Sequence, residues 1–598
     1  MSRQRSVRFL HALVRLRPGA TFAQADGELR AAGIAWTRTF ADAYPGGAWT
    51  FTVVSFEGDV LRGPRSTLWL LSGLVGLVLA LACVNVAHLL AARHETRRGD
   101  VAVRTALGAS AAQLAGEHLA EAGLIAAAAG ALALGLAAAT PALLRVVDPG
   151  ALPRLGDAGF DGRALLFAAA VTAGTAWTAA ASGVVARRWL GTVSLIGADR
   201  SGGRTRRGAA LGRALIVVQT GGATAIVVVA LFLADALAAL QRVDLGLRAD
   251  GLATGRVSLT SRYALGPPSI AFFDRVVEAL ASHPGVEGAA AISQLPLSGA
   301  MLGSTFVDPT RAGAQPDRRI DVDLRAVTPS YLSVAGTPLL AGRPLTTADG
   351  RDAPRVAIVD VTLARRLAPD GQVVGRRVRW IRQPDVDVEI VGVVAAVRHR
   401  GPADAPQPTV YRPLAQYPRT AMFLVARSRP GASVTPADLR GAVDAVDRSQ
   451  AIADVLPMPA RVSRALARSR ATTAIAAALA ALAMALGIVG IYGVLSVGVA
   501  RRRREFGVRL AIGARPATIR ALVLGEGLTL AAAGIGLGLA GAVWVVQATR
   551  AALPVDAGDV PAAFAGAVAL VLAGVLGALW LPAGRAAAIE PRAALQAD

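Results

Sequence analysis

Long runs of apolar residues dominate the chain, separated by shorter polar stretches. Seven runs carry few or no charged residues, and each is about 20 residues or longer. A bilayer core about 30 Å thick needs about 20 helical residues, because each residue advances a helix by about 1.5 Å. The pattern therefore predicts a multi-pass α-helical membrane protein with seven spanning helices, at residues 67–92, 119–147, 164–186, 214–240, 471–500, 522–549 and 561–584.

The short loops between these runs alternate in charge. Arg-rich loops are kept on the cytoplasmic side of a membrane. This rule predicts that the N-terminal stretch and the long segment 241–470 lie outside and that the C-terminus lies inside. The Arg-rich loops are 93–118, 187–213 and 501–521, with four, seven and seven Arg, and the acidic loops are 147–163 and 550–560.

The long polar segment 241–470 has the composition of a mixed α/β domain. Residues 355–361 and 386–397 are rich in β-branched side chains and are bounded by Gly, Pro and Asp, which is typical of strands between turns. Residues 269–282 have apolar side chains at helical spacing, and the pair Pro284 and Gly285 follows as a stop signal. No set of residues in this segment has the spacing of a catalytic site.

An internal repeat relates the two halves of the chain. Residues 97–109 align with residues 502–514 without a gap, and Glu121 aligns with Glu526 at the same offset of 405 residues. Each copy follows one predicted spanning helix and precedes two more. The chain therefore reads as a duplicated unit whose first copy has lost its leading helix and most of its outside domain.

This duplication predicts seven consecutive segments. They are a C-terminal remnant of a first extracytoplasmic domain (1–66), a first three-helix permease unit (67–186), a cytoplasmic linker (187–213), the leading helix of the second unit (214–240), an extracytoplasmic α/β core domain (241–470), a second three-helix permease unit (471–584) and a cytoplasmic tail (585–598).

Composition removes several classes of function. The 598 residues include 63 Lys+Arg against 41 Asp+Glu, and every one of these basic residues is Arg. A chain without lysine cannot form a Walker A site, so we expect no nucleotide hydrolysis and no catalytic residue. The basic residues are spread over many loops, so no nucleic-acid partner is expected. The single cysteine, Cys83, and the six His residues lack metal-ligand spacing, so neither a metal nor a cofactor is expected.

The repeated loops and the glycine-rich helices are the candidate functional elements. Each loop continues a basic cluster into an amphipathic stretch, which faces a partner or the membrane; an ordinary positively charged anchor is the alternative. Gly108 and Gly513 suit a break after a short helix. Small residues let helices approach closely, and the predicted packing glycines are Gly487, Gly490, Gly493, Gly534, Gly538 and Gly541.

Four stretches of sequence resemble one family. Residues 488–494 and 505–514, with 331–336 and 342–345 in the outside segment, resemble the MacB/FtsX-like permeases of ABC transporters, in the duplicated bacterial form and N-terminally truncated. The resemblance implies a multi-pass protein of the bacterial plasma (inner) membrane. It also implies that the loop after the second helix of each unit docks on a separately encoded ABC ATPase.

The resemblance assigns ATPase docking to residues of both loops. The second copy has the sequence Arg-Glu-Phe-Gly at residues 504–507, and the first copy has Gly-Asp-Val-Ala at the equivalent residues 99–102. The second copy is therefore expected to be the main contact. In that contact the Phe506 ring would be an apolar anchor in a groove of the ATPase. The candidate docking residues are Asp100, Val101, Arg104 and Gly108 in the first copy and Glu505, Phe506, Arg509 and Gly513 in the second.

These features predict a permease subunit of an ABC-type efflux or mechanotransmission system, which couples a separate ATPase to an extracytoplasmic domain. The lipid bilayer and a periplasmic protein are further expected partners. The alternative is a membrane scaffold or signalling protein that has no ATPase and binds a partner through its outside domain. Neither reading names a substrate.

Overall fold

The computed structural model divides the chain into two compact units. The α/β unit contains residues 1–63 and 240–466, and the helical unit contains residues 64–239 and 467–598. Within these units the structure describes residues 13–40, 53–56, 65–96, 103–104, 107–108, 110–147, 162–190, 203–299, 303–307, 320–369, 371–380, 383–552 and 560–590.

Helices are numbered along the described part of the chain. They are α1 (Phe22–Thr39), α2 (Arg65–Thr96), α3 (Ala111–Val147), α4 (Gly162–Leu190), α5 (Gly203–Arg242), α6 (Pro267–Ala281), α7 (Tyr331–Ala335), α8 (Val361–Leu367), α9 (Pro436–Asp447), α10 (Met458–Arg501), α11 (Arg503–Ala511), α12 (Pro516–Ala552) and α13 (Val560–Ala587).

Six of the described helices are long and apolar enough to cross a membrane, which confirms a multi-pass helical membrane protein. The predicted segment 164–186 lies within α4, which is not among the six, so the count of seven is not confirmed. The six segments are Thr67–Val86, Leu119–Ala139, Gly212–Arg242, Met458–Arg501, Pro516–Ala548 and Val560–Ala587.

Helix α5 is the most deeply buried of the six spanning candidates. Of its most apolar window, 61% is buried, against 33% for those of α10, α12 and α13. Ile226 and Val228 of α5 are fully buried in a core shared with Ala483 of α10 and Ala567 of α13. Large apolar side chains elsewhere are open, such as Phe167 of α4 at 72% exposure. Lipid tails are as apolar as these side chains, so an exposed apolar face is expected on a spanning helix.

Eleven strands form the sheet of the α/β unit, by the residues described. They are β1 (Leu252–Ser258), β2 (Val286–Ile292), β3 (Gly303–Val307), β4 (Ile320–Val327), β5 (Leu339–Gly342), β6 (Val356–Asp360), β7 (Arg377–Trp380), β8 (Gln383–Val394), β9 (Thr409–Pro413), β10 (Ala421–Ser428) and β11 (Ile452–Pro457).

The strand pairings divide this sheet into two parts. Strands β11, β1, β10 and β2 form an antiparallel sheet in that order. Strands β4, β3, β7, β8, β6 and β9 pair in sequence, and β9 pairs back to β4 in parallel, with Asp323 opposite Thr409. The six strands therefore close into a ring, which removes free edges.

Helix α6 packs against the antiparallel part because its apolar residues recur at helical spacing. Phe272, Phe273 and Val276 of α6 are fully buried in a cluster with Leu424 of β10. The predicted strands 355–361 and 386–397 contain β6 and most of β8, and the predicted helix 269–282 overlaps α6. The expectation of a mixed α/β domain is confirmed.

The two stretches of the α/β unit that resemble the family, 331–336 and 342–345, each contain a glycine with positive φ. Residues Tyr331–Ala335 make α7, which ends at Gly336 with a positive φ of 71°. Gly342 has a φ of 79°, and a Cβ built on it would lie 2.2 Å from the carbonyl oxygen of Val391. Only glycine fits that close approach, so part of the resemblance reflects backbone geometry.

Candidate coupling loops

The second loop, residues 502–514, contains α11 and ends in a glycine cap. The Gly513 N–H donates to the Leu510 carbonyl at 3.1 Å, and the Ala514 N–H donates to the Arg509 carbonyl at 2.9 Å. Gly513 has a φ of 99°, in the left-handed region that glycine adopts without a steric penalty. The cap ends α11 and turns the chain into α12, which begins at Pro516.

The Phe506 ring is buried within the helical unit. It is 1% exposed and belongs to a small core with Ile519 and Val523 of α12 and Ala583 of α13. The role of Phe506 as an anchor in a partner's groove stays a prediction, and in this conformation the ring fills a space between the chain's own helices. Its contribution to the loop is to attach α11 to the bundle.

Arg502 connects the loop to α12 through ion pairs. Its Nε donates to Glu505 Oε2 at 2.8 Å, and its Nη1 lies 2.9 and 3.0 Å from the two carboxylate oxygens of Glu526. The Arg509 Nη2 adds a contact of 2.8 Å to Glu505 Oε1. The hydrogen bond from Arg502 lowers the pKa of Glu505 below its ordinary value, against the opposing effect of desolvation. These pairs hold the base of the loop.

The tip of the second loop presents apolar side chains outward. Ile512 is 80% exposed and Val508 is 38% exposed. The Ile512 N–H donates to the Val508 carbonyl at 3.0 Å, so the two residues lie one helical turn apart. Ile512 therefore combines a fixed backbone with an apolar side chain that has little cover from the described residues.

The first loop, residues 97–109, has the same tip. Leu107 and Val103 are 83% and 59% exposed, and the Leu107 N–H donates to the Val103 carbonyl at 3.0 Å. Gly108 has a φ of 97°, matching Gly513. The candidates Asp100 and Val101 lie outside the described residues. Arg104 pairs with Glu117 of α3 at 3.1 Å, whereas its counterpart Arg509 pairs with Glu505 of its own loop.

Two of the candidate packing glycines lie where α12 meets α5. A Cβ on Gly538 would lie 2.3 Å from the Gly221 carbonyl oxygen, and one on Gly534 would lie 2.6 Å from the Thr220 Cβ. No larger residue fits at these positions without a shift of the α5 backbone. A Cβ on Gly541 would meet no atom within 4 Å in the described structure.

The glycines of α10 border a buried pair of amide side chains. The Asn85 Nδ2 of α2 donates to the Leu486 carbonyl of α10 at 2.8 Å, and the Gln219 Nε2 of α5 donates to Asn85 Oδ1. A Cβ on Gly490 would lie 2.2 Å from Gln219 Oε1, while one on Gly487 would lie 3.8 Å from the Ala223 Cβ. Gly493 lies one turn further along α10.

Sequence reasoning missed this amide pair, which joins three helices from both halves of the chain. The available signal was the presence of Asn85 and Gln219 inside otherwise apolar runs, where a polar side chain needs a partner. The tip residues Leu107 and Ile512 were also missing from the candidate set. Among the described residues, no group of three or more His, Cys, Asp or Glu side chains is placed to hold a metal ion.

Two parts of the chain match known families. Residues 220–440 match the MacB-like periplasmic core domain, and residues 477–591 match the FtsX-like permease C-terminal domain. Among curated proteins, the chain is 28% identical over 293 residues to the macrolide export ATP-binding/permease protein MacB 1/2 of Paracoccus denitrificans, which covers 46% of this chain and 42% of that protein.

A second relative gives the same picture. The macrolide export ATP-binding/permease protein MacB of Campylobacter jejuni is 24% identical over 279 residues, covering 44% of this chain and 43% of that protein. The match spans less than half the length of each of these two relatives.

Solved structures match the α/β part at low similarity. The periplasmic region of MacB from Actinobacillus actinomycetemcomitans is 13% identical with a TM-score of 0.26, covering 36% of this chain and 92% of that chain. The extracellular domain of the noncanonic ABC-type transporter YknZ from Gram-positive bacteria is 15% identical with a TM-score of 0.21, covering 32% of this chain and 88% of that chain.

The two domain matches lie in the order that the repeat and hydropathy predict, with the core domain ahead of the last group of spanning helices. The apolar helices and the family matches together define a multi-pass protein of the bacterial inner membrane. The chain belongs to the MacB/FtsX-like permeases of ABC transporters.

Proposed function

We propose that the chain is the permease subunit of an ABC-type efflux or mechanotransmission system and that its two loops dock on a separately encoded ATPase. The observation that carries this proposal is the matched pair of tips: Leu107 and Ile512 are both at least 80% exposed, and each precedes a glycine with positive φ. An ABC ATPase works as two nucleotide-binding subunits, so two equivalent contacts suit it.

The tips have the chemistry of a docking contact. An apolar side chain that enters a partner's pocket contributes most of the free energy of such an interface, whereas exposed charges around it contribute mainly to the association rate. Ile512 supplies the apolar group, and the four consecutive arginines 501–504 supply the surrounding charge. The Arg-rich composition supports a cytoplasmic position for both loops, where an ATPase is available.

Nucleotide hydrolysis is assigned to another chain because no lysine is present to reach the β- and γ-phosphates. The printed names of the relatives combine ATP-binding and permease functions, and this chain matches less than half of each of the two compared here. The macrolide export activity in those names makes macrolides the first substrates to test.

Coupling to the outside requires that movement of the loops reach the α/β unit. Two of the three points at which the chain passes between the helical unit and the α/β unit lie within α5 and within α10, so these two connections are helical segments. Helices transmit displacement over several turns because their packed cores favour discrete arrangements. ATP-driven closure of two ATPase subunits would thereby be transmitted to the core domain.

The test is capture of the native protein from its host membranes, followed by identification of the proteins that it retains. We expect an ABC ATPase in the wild-type capture and a loss of at least tenfold in the double variant Leu107→Asp/Ile512→Asp. Leu265→Asp is the control, because Leu265 is 64% exposed but lies in the α/β unit. Capture of other proteins with no ATPase by the wild type would favour the scaffold or signalling alternative.

A further inference from the structure

Three arginines come together on one side of the closed ring of strands. Arg412 lies in β9, Arg355 immediately precedes β6, and Arg419 lies between β9 and β10. Strands β6 and β9 are paired antiparallel, with Ile358 opposite Tyr411, which brings Arg355 and Arg412 to the same region. We call Arg355, Arg412 and Arg419 the arginine cluster.

Arg412 is buried, and none of the described residues accepts a hydrogen bond from it. Its residue surface is 2% exposed, and its Nε has no hydrogen-bond partner in the described structure. The Nε and Nη2 atoms of Arg419 are likewise buried and without a partner there. No carboxylate within the described ranges forms an ion pair with Arg412 or Arg419, although buried charges are normally paired.

Two other buried arginines of the same unit have acceptors on all three guanidinium nitrogens. Arg427 donates to the carbonyl oxygens of Val334, Asp250 and Arg248 at 2.7, 3.0 and 3.0 Å. Arg461, which is 5% exposed, reaches the Thr254 hydroxyl and the Asp454 carboxylate, each at 2.8 Å. Arg325, which is fully buried, also leaves its Nε without a partner in the described structure, but its two terminal nitrogens reach Gln294 and Asp323. The arginine cluster differs because neither Arg412 nor Arg419 has a described carboxylate or carbonyl acceptor.

Aromatic rings hold the cluster in place. The Arg412 Cζ lies 5.4 Å from the centre of the Trp380 ring and 4.9 Å from that of Tyr417, and the Arg419 Cζ lies 4.0 Å from the centre of the same Tyr417 ring. A ring stabilises a cation through its face, whereas the guanidinium N–H groups point outward in the guanidinium plane. The rings thus orient the two side chains and leave their donors for another group.

No carboxylate of the described residues acts on the pKa of Arg412. Burial, together with repulsion from Arg355 and Arg419, lowers the pKa of Arg412 to about 10, although Tyr417 acts in the opposite direction. An unpaired buried charge is destabilising, and a bound anion would remove both the unsatisfied donors and the repulsion. The fork of guanidinium donors matches the oxygens of a phosphate or carboxylate group.

We propose that the arginine cluster of the α/β unit is a binding site for a small oxyanion, with phosphate as its representative. Arg412 supplies the buried donors, Arg419 supplies donors from the half-buried side, and Arg355 adds positive charge. This site is independent of the docking loops and of the ATPase.

The test uses the full chain in a nonionic detergent at constant ionic strength, titrated with inorganic phosphate in a calorimeter. We expect saturable binding by the wild type and at least a tenfold loss of affinity in Arg412→Met and in Arg419→Met. The matched control is Arg440→Met, which removes one exposed charge of α9 and should change the affinity less than twofold. Absence of saturable binding, or an equal loss in Arg440→Met, would overturn the proposal.

Thermal unfolding gives a second readout. Phosphate should raise the midpoint of the wild type and leave that of Arg412→Met unchanged. Without phosphate, Arg412→Met should unfold at or above the wild-type temperature, because it removes an unpaired buried charge, whereas Arg427→Met should unfold lower. If Arg412→Met without phosphate lowered the unfolding midpoint as much as Arg427→Met does, the Arg412 guanidinium would not be an unpaired buried charge, and the proposal would be contradicted. Arg419→Met decides the question by calorimetry if Arg412→Met does not fold.

Discussion

The first and second loops end in the same turn but are attached to the protein in different ways. Leu107 and Ile512 are 83% and 80% exposed, and Gly108 and Gly513 have φ angles of 97° and 99°. These pairs lie at the constant offset of the internal repeat. The shared feature is therefore an outward apolar side chain held by a glycine-capped turn.

The described attachments differ. In the second copy, Phe506 is buried against α12 and α13, and Arg502 bridges Glu505 and Glu526. In the first copy, Arg104 reaches Glu117 of the following helix. Folding alone favours buried apolar groups and paired charges, whereas it gives no reason to repeat an exposed Leu or Ile. We infer that the tips are shared because both contact the proposed partner, whereas the attachments serve local packing.

The first prediction concerns the close packing of α12 on α5 in the second copy. Gly538→Leu should reduce the yield of folded protein several-fold, because its side chain would meet the backbone of α5, and overpacking costs about 1–3 kcal/mol or more. Gly541→Leu, on the same helix and with open space around it, should match the wild type. Size-exclusion chromatography after a temperature series measures the yield of folded protein for both variants. Equal yields would contradict the close approach of α12 to α5.

Truncation of Phe506 tests whether the ring attaches the second loop. Phe506→Ala should destabilise the packing of α11 by about 3–5 kcal/mol, since a fully buried ring is replaced by a cavity. Amide hydrogen exchange over residues 503–513 should accelerate as α11 detaches. Ile512→Ala is the control, because its exposed side chain contributes little to packing. If amide hydrogen exchange over residues 503–513 did not change in Phe506→Ala, the ring would not attach α11, and a role as an anchor for a partner would be favoured.

Single substitutions at the tips test their equivalence. Leu107→Asp and Ile512→Asp should each weaken capture of the ATPase by about tenfold, corresponding to about 1.4 kcal/mol, while thermal stability stays unchanged. Binding of the captured ATPase to each variant in nanodiscs measures the effect. A loss confined to Ile512→Asp would make the second loop the main contact, as its Arg-Glu-Phe-Gly form predicts, and would break the symmetry between the copies.

The smallest effect concerns the ion pairs of the second loop. The lowered pKa of Glu505 means that its stabilising contribution is present above its ordinary value of about 4.3 and is lost as pH falls through the lowered value. Because the carboxylate is 39% exposed, the contribution is about 0.5 kcal/mol at most. Unfolding midpoints of wild type and Glu505→Gln should differ slightly at pH 7 and converge as the pH falls through the lowered pKa of Glu505. A constant difference across this range would exclude the pairing.

The sequence predicts the spanning helices and the mixed α/β domain because both depend on local periodicity. The apolar runs of α5 and α12 and the β-branched run of β6 carry their own signals. The burial of Phe506 was not predictable, because an aromatic residue in a short basic loop can face either a partner or its own helices. Its neighbour Ala583 lies far along the chain, so only the folded bundle decides between the two.

The arginine cluster escaped prediction for the same reason. Arg412 lies within a short apolar stretch, residues 409–414, and the sequence alone predicts an ordinary strand residue that faces solvent. The rings that surround it come from the end of β7 and from the segment after β9. The pairing of β6 with β9 brings Arg355 near Arg412, and a pairing between two strands that are far apart in sequence leaves no local sequence pattern.

Site-specific photo-crosslinking tests the central claim most directly. A photoreactive phenylalanine analogue is placed at position 107, 512 or 265 of the full chain in its host, and the crosslinked proteins are identified by mass spectrometry. We expect positions 107 and 512 both to crosslink to the same protein carrying a nucleotide-binding domain, and position 265 not to crosslink to it. Crosslinks from 107 and 512 to lipid alone, or the same ATPase crosslinked from 265, would contradict the assignment of the two loops to ATPase docking.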